Sequence, residues 1–67
     1  MLVYCVSDQA KPNGDHEVHN IGCSYLPGQQ HQVRLGAFPS CQLALEEAKQ
    51  YFPQANGCVH CSKECHT

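Results

Sequence analysis

The C-terminal segment Gly57–Thr67 constrains the fold of this chain more than any other stretch. Its sequence, GCVHCSKECHT, holds three of the six cysteines and two of the five histidines. Thiol and imidazole groups at this density are typical of a metal site or of a set of disulfides. The rest of the chain therefore has to serve as a scaffold that brings such groups together.

Length sets how much a hydrophobic core can contribute. The 67 residues are enough for one domain, residues 1–67, and leave no room for a second. A core of this size rarely supplies more than about 3–5 kcal/mol of stability. A structural zinc site can contribute about 10–16 kcal/mol of apparent binding free energy to folding. A metal would therefore contribute more than the core itself.

An even number of cysteines in a short chain also fits a secreted scaffold closed by disulfides. Two observations favour metal binding over that alternative. Residues 1–6, MLVYCV, lack the basic and long apolar regions of a signal peptide, so they predict a strand in a cytoplasmic protein. Cys58 and Cys61 form a C-x-x-C pair with Cys65 and His66 close behind, which in a reducing compartment indicates metal binding or redox chemistry.

Charge and hydropathy narrow the set of partners. Four basic residues stand against six acidic ones, and the formal net charge is −2. The basic residues form no run, so the electrostatic footprint of a nucleic-acid-binding protein is missing. No stretch predicts a membrane-spanning or basic amphipathic helix. We expect no membrane partner and an unidentified protein partner, with weak nucleic-acid binding as an alternative that the net charge disfavours.

Alternating hydrophobic residues predict three strands. Residues 2–7 and 16–19 are expected to form a hairpin around the Pro12–Gly14 turn, and residues 33–38 a third strand. In the second strand, His16 and His19 would point to opposite faces, so at most one of them can bind a given ion. Tyr25 and Leu26 are expected to anchor the loop before the third strand to the core.

One helix is predicted over Cys41–Tyr51, with Ser40 as its N-cap. Its apolar stripe consists of Cys41, Ala44, Leu45, Ala48 and Phe52. Cys41 is interpreted as a small core residue, as free cysteines often are. Asn56-Gly57 is expected to turn the chain into the cysteine cluster. The predicted fold class is therefore α+β, a small three-stranded antiparallel sheet with one helix, stabilised by a structural zinc site.

The predicted zinc ligands are His19, Cys23, Cys58 and Cys61. They form two short pairs, H-x3-C and C-x2-C, separated by 34 residues. Structural zinc sites commonly combine two such pairs, because a tight turn can direct two side chains to one ion while the intervening segment forms the fold.

The sequence leaves the identity of the fourth ligand undecided. Cys65 and His66 compete with His19, and a site made of Cys23, Cys58, Cys61 and Cys65 would also satisfy zinc chemistry. His19 could instead be an exposed histidine on the face of the sheet.

The remaining candidate residues are interpreted as structural. Cys5 is predicted to lie in the core, whereas His16, His31 and His60 are predicted at the surface. Catalysis is not expected: Cys58 and Cys61 lack the βαβ context typical of a thiol–disulfide oxidoreductase, and a hydrolytic zinc site would need an open coordination position. The function expected is a non-enzymatic binding or adaptor module, with a thiol-redox or disulfide-stabilised protein using Cys58 and Cys61 as an alternative.

The pattern resembles the Ada-type metal-binding domain family in three segments, HNIGCSYLP, VRLGAFPSCQLALEEAK and NGCVHC. The resemblance implies a small α+β fold around one zinc, with ligands at His19, Cys23, Cys58 and Cys61. In the DNA-repair members, a zinc-bound thiolate at the first ligand position accepts a methyl group. His19 occupies that position here and has no thiolate, so methyl transfer is not expected.

Overall fold

The computed structural model describes all 67 residues. Four strands form one sheet: β1 (Leu2–Ser7), β2 (His16–Asn20), β3 (Gln32–Phe38) and β4 (Ala55–Gly57). One helix, α1 (Cys41–Ala48), lies between β3 and β4 in the chain, and short 3-10 turns cover Gln29–His31 and Lys63–Cys65. No helix combines the length and the apolar composition that crossing a membrane requires.

The sheet differs from the predicted one in number and direction of strands. Its order is β3-β1-β2-β4; β1 pairs antiparallel with β2 and β3, while β4 pairs in parallel with β2. The predicted three antiparallel strands are therefore present, but the sheet is a four-stranded mixed one. The Asn56-Gly57 pair that was expected to form a turn lies inside β4.

Tertiary contacts account for β4. Asn and Gly disfavour strands and favour turns, so the three residues Ala55–Gly57 carry little local preference for extended structure. Their partners in β2 are His16, Glu17 and Val18. The Asn56 side chain adds hydrogen bonds: Nδ2 donates to Asp15 Oδ2 at 3.0 Å, and Oδ1 accepts from Thr67 N at 3.1 Å.

The helix-facing side of the sheet carries the hydrophobic core. Ser40 caps α1 as predicted, since its hydroxyl accepts a hydrogen bond from Leu43 N. The predicted stripe packs inward, with Cys41, Ala44 and Ala48 buried. The helix ends at Ala48, three residues before the predicted end. The core cluster comprises Tyr4, Val6, Val18, Cys41, Ala44, Ala48, Ala55 and Cys65.

A disulfide joins Cys41 to Cys65 within this core. The interpretation of Cys41 as a free core cysteine was therefore wrong, although its burial was predicted. The bond spans a sequence separation of 24 and links the helix to the C-terminal tail. Residues so far apart in sequence give no local signal of pairing, because connectivity depends on how the chain folds back.

Glycine is required at one position of the sheet. The register between β1 and β3 shifts between Tyr4 and Cys5, where Tyr4 pairs with Gly36 and Cys5 pairs with Arg34. Gly36 has a φ of 109°, a conformation that L side chains rarely adopt. The irregularity is a β-bulge that increases the local twist of this edge of the sheet.

Candidate metal centre

The four predicted ligands converge on one point. The ligand atoms of His19, Cys23, Cys58 and Cys61 all lie within 4.8 Å of one another. His19 and Cys58 are buried, and Cys23 and Cys61 are partly covered. The cluster therefore combines residues from β2, from the turn after it, and from the turn that follows β4.

Strand alternation places His19 on the side of the sheet that faces away from α1. Val18, the preceding residue, packs into the helix-facing core. Cys5 is the cross-strand partner of His19 and lies beneath it on the same side. His19 is only 1% exposed, so the alternative of an exposed sheet histidine was wrong. His16 points the other way, as predicted, and stacks on Phe52 at 4.0 Å between ring centroids.

Backbone hydrogen bonds hold each ligand-bearing turn in place. After β2, Cys23 N donates to Asn20 O at 3.0 Å and Gly22 N donates to Asn20 Oδ1 at 2.9 Å. After β4, Cys58 N donates to Val18 O at 3.0 Å, so the parallel strand pairing fixes where this cysteine begins its turn.

The two turns have the same local geometry. In each, a cysteine sulfur accepts a hydrogen bond from the backbone N–H two residues later: Tyr25 N to Cys23 Sγ and His60 N to Cys58 Sγ, both at 3.4 Å. The rings of those two donor residues stack, with centroids 3.8 Å apart and planes 16° apart. Tyr25 is 60% exposed and covers the outside of the cluster, so its predicted role as a core anchor was wrong.

The sulfur spacing suits a tetrahedral ion. Cys23 Sγ and Cys58 Sγ are 3.9 Å apart, which is far longer than the roughly 2.05 Å of a disulfide. Zinc–sulfur bonds of about 2.3 Å at tetrahedral angles put two sulfurs about 3.8 Å apart. These two thiols are therefore separated as two ligands of one ion would be.

His19 also has an atom that is free to bind a metal ion. Its Nδ1 atom is buried and has no hydrogen-bond partner. Leaving a buried polar atom unpaired costs about 1–3 kcal/mol, so such atoms are rare in folded proteins. Burial lowers the pKa of His19, with the carboxylate of Glu17 opposing the shift. The imidazole is therefore neutral near pH 7, which is the form that binds metals.

Electrostatics disfavours thiolates in the metal-free cluster. Burial, with a further contribution from Cys61 and Cys58, raises the pKa of Cys23 to about 12, although the hydrogen bond from Tyr25 N acts in the opposite direction. Burial likewise raises the pKa of Cys5. A divalent cation would offset the repulsion among thiolates and lower their pKa, because coordination deprotonates a thiol.

The competing fourth ligands have other partners. Cys65 is bonded to Cys41, so the site of Cys23, Cys58, Cys61 and Cys65 is excluded in this structure. His66 Nδ1 lies 3.0 Å from Gly57 O and holds the tail against β4. His60 is exposed, as predicted, while His16 and His31 are half-buried.

The donor set fits zinc. Three thiols and one imidazole are a recurrent combination in structural zinc sites, and soft sulfur ligands select against calcium and magnesium.

Comparison of the chain with protein-family models, with curated proteins and with solved structures finds no match.

Proposed function

We propose that His19, Cys23, Cys58 and Cys61 bind one structural zinc ion, and that the domain acts as a non-enzymatic binding or adaptor module. The observation that supports this most is the convergence of four ligand atoms within 4.8 Å, with a buried imidazole nitrogen that has no other partner. Two ligands come from each end of the scaffold, so metal binding would tie the C-terminal segment to the β1–β2 hairpin.

A structural role follows from the number of protein ligands. Catalytic zinc sites keep one position for water or substrate, whereas structural sites are closed by four protein side chains. Four candidate ligands would complete the tetrahedral sphere here. The ion would supply stability and hold the shape of the two turns.

The adaptor role rests on the surface around the cluster. The two ligand-bearing turns present Ile21, Tyr25, Val59 and His60 to solvent. Aromatic side chains are enriched at protein interfaces, and the rings of Tyr25 and His60 stack on each other at this surface. A metal that rigidifies both turns would pre-organise this surface for a protein partner, which reduces the entropy cost of binding. The relationship to the Ada-type family stays a prediction, and no activity is transferred from it.

Metal analysis of protein purified without added zinc tests the proposal. We expect about one zinc per chain, one disulfide, and four free thiols, of which the three in the cluster become reactive on chelation. A metal-free chain that contains three disulfides would contradict the proposal. A metal-free chain with a reversible Cys58–Cys61 disulfide would favour the thiol-redox alternative instead.

A further inference from the structure

Glu17 lies beside the candidate metal centre without belonging to its four ligands. It precedes His19 by two residues in β2, so both side chains point to the same side of the sheet. Glu17 Oε1 is 3.6 Å from His19 Nε2, slightly longer than a hydrogen bond. The other carboxylate oxygen, Oε2, is 3.4 Å from Lys11 Nζ. The Glu17 side chain is only 22% exposed, so solvent covers little of it.

The two nitrogens of His19 therefore have different surroundings. Nε2 is near a carboxylate, and Nδ1 is buried without a partner. A neutral imidazole has one N–H and one lone pair, whereas an ionised carboxylate can only accept hydrogen bonds. The proton is accordingly favoured on Nε2, beside Glu17. The lone pair then lies on Nδ1.

We infer that His19 binds the metal through Nδ1, and that Glu17 is a positioning residue that fixes the tautomer and ring orientation of His19 through Nε2. This inference rests on the proposed zinc site. Metal-bound histidines almost always donate their second ring N–H to a carboxylate, a carbonyl or water, and such partners raise the basicity of the ligand. Lys11 holds the other oxygen of Glu17 and restricts the carboxylate.

Nitrogen-15 NMR of the zinc-loaded wild-type chain reads the tautomer directly. We expect the chemical shifts of His19 to show a metal-bound Nδ1 and a protonated Nε2. A metal-bound Nε2 would overturn the inference while leaving the zinc site intact. This measurement needs no variant, so it does not depend on whether a mutant folds.

Competition with a chromophoric zinc chelator measures the contribution of Glu17 to affinity. We expect Glu17→Ala to weaken zinc binding by about 10–100-fold, the range typical of residues that orient metal ligands. Glu17→Gln should lose less, because its amide oxygen can accept a hydrogen bond from Nε2 although it carries no charge. Glu46→Ala is the matched control, since Glu46 is exposed on α1, and its affinity should equal that of the wild type.

These measurements distinguish a failure of the role of Glu17 from a failure of the zinc site itself. Equal zinc affinity in Glu17→Ala and Glu46→Ala would overturn the role of Glu17 and leave the proposed zinc site standing. A wild-type chain that binds no zinc would overturn both. Partial recovery in Glu17→Gln relative to Glu17→Ala supports an orienting hydrogen bond, whereas equal losses in the two variants would overturn it.

Discussion

The helix-facing side of the sheet and the side that faces away from α1 both contain cysteines, but in different chemical states. On the helix-facing side, Cys41 and Cys65 form a disulfide among apolar residues. On the other side, the free thiols of Cys23, Cys58 and Cys61 form one cluster with the buried imidazole of His19. One closure is a covalent bond, and the other is a group of side chains that could hold a metal ion.

The difference shows that a disulfide and a possible metal site can coexist within one small domain. Both closures use the same segment: Cys58 and Cys61 turn toward the thiol cluster, and Cys65 turns toward the helix. A disulfide persists mainly in oxidising compartments and free thiols in reducing ones, so the cytoplasmic location expected from the sequence stays a prediction. The spacing of the free thiols keeps them as candidate ligands.

Loss of the metal should have the largest effect. We expect Cys58→Ala to abolish zinc binding and cooperative thermal unfolding, because structural zinc contributes on the order of 10 kcal/mol to folding. Cys5→Ala is a matched control: both cysteines are free and fully buried, but only Cys58 belongs to the cluster. The control should lose about 1 kcal/mol and keep its zinc. Similar melting curves for both variants would contradict the proposed role of the metal.

Removal of the disulfide should have the second largest effect. The double variant Cys41→Ala, Cys65→Ala opens a loop with a sequence separation of 24, for which chain entropy predicts a loss of about 3–4 kcal/mol. Urea unfolding of the zinc-loaded protein measures this loss. We expect zinc stoichiometry to stay unchanged, because the two closures lie on opposite sides of the sheet. Loss of zinc in the double variant would show that the metal cluster depends on the disulfide.

A substitution at Gly57 tests how tightly the C-terminal tail packs against β4. A Cβ atom there would lie 2.7 Å from Cys65 Cβ and 2.7 Å from Ser62 O, both of which are held by the fold. We expect Gly57→Ala to cost about 1–3 kcal/mol in urea unfolding, as overpacking usually does. Gly28→Ala is the control, because its nearest neighbour is the exposed, flexible side chain of Gln30, which can move. Equal stability of the two variants would contradict the tight packing of the tail against β4.

Asp15 should give the smallest effect, one that depends on pH. Hydrogen bonds from Asn56 and Gln54 hold the pKa of Asp15 below its ordinary value. A folded-state pKa below the unfolded one stabilises the fold above the unfolded pKa, and this contribution disappears as pH falls through the folded pKa. The stability advantage of wild type over Asp15→Asn should therefore be present at pH 6 and shrink toward pH 3.

Urea unfolding of the wild type and of Asp15→Asn across this pH range gives the difference between their free energies of unfolding. Any metal released in acid lowers the stability of both proteins alike, so it does not change this difference. A carbon-13 NMR titration of the Asp15 carboxyl group should give a pKa below that of an unfolded peptide. A stability difference that grows on acidification would contradict the assigned hydrogen bonds.

Local sequence signals were sufficient for the helix, the hairpin pairing of β1 with β2 and the four ligand candidates. Ser40, the apolar stripe of α1 and the short spacing within each ligand pair all act over a few residues, so their preferences are readable without the fold. The H-x3-C and C-x2-C spacings identified the same four residues whose ligand atoms the structure brings together. Their occupation by zinc stays a prediction.

Tertiary structure decided what distant residues do. Ala55–Gly57 forms a strand only because β2 offers a free edge and Asn56 finds partners in Asp15 and Thr67. The same chain path brings Cys65 to Cys41, which removes it from competition for the metal. The sequence by itself determined which side chains can bind an ion, since that depends on their chemistry and local spacing. Only the folded chain decided which cysteine pairs with which group, because pairing depends on distances across the fold.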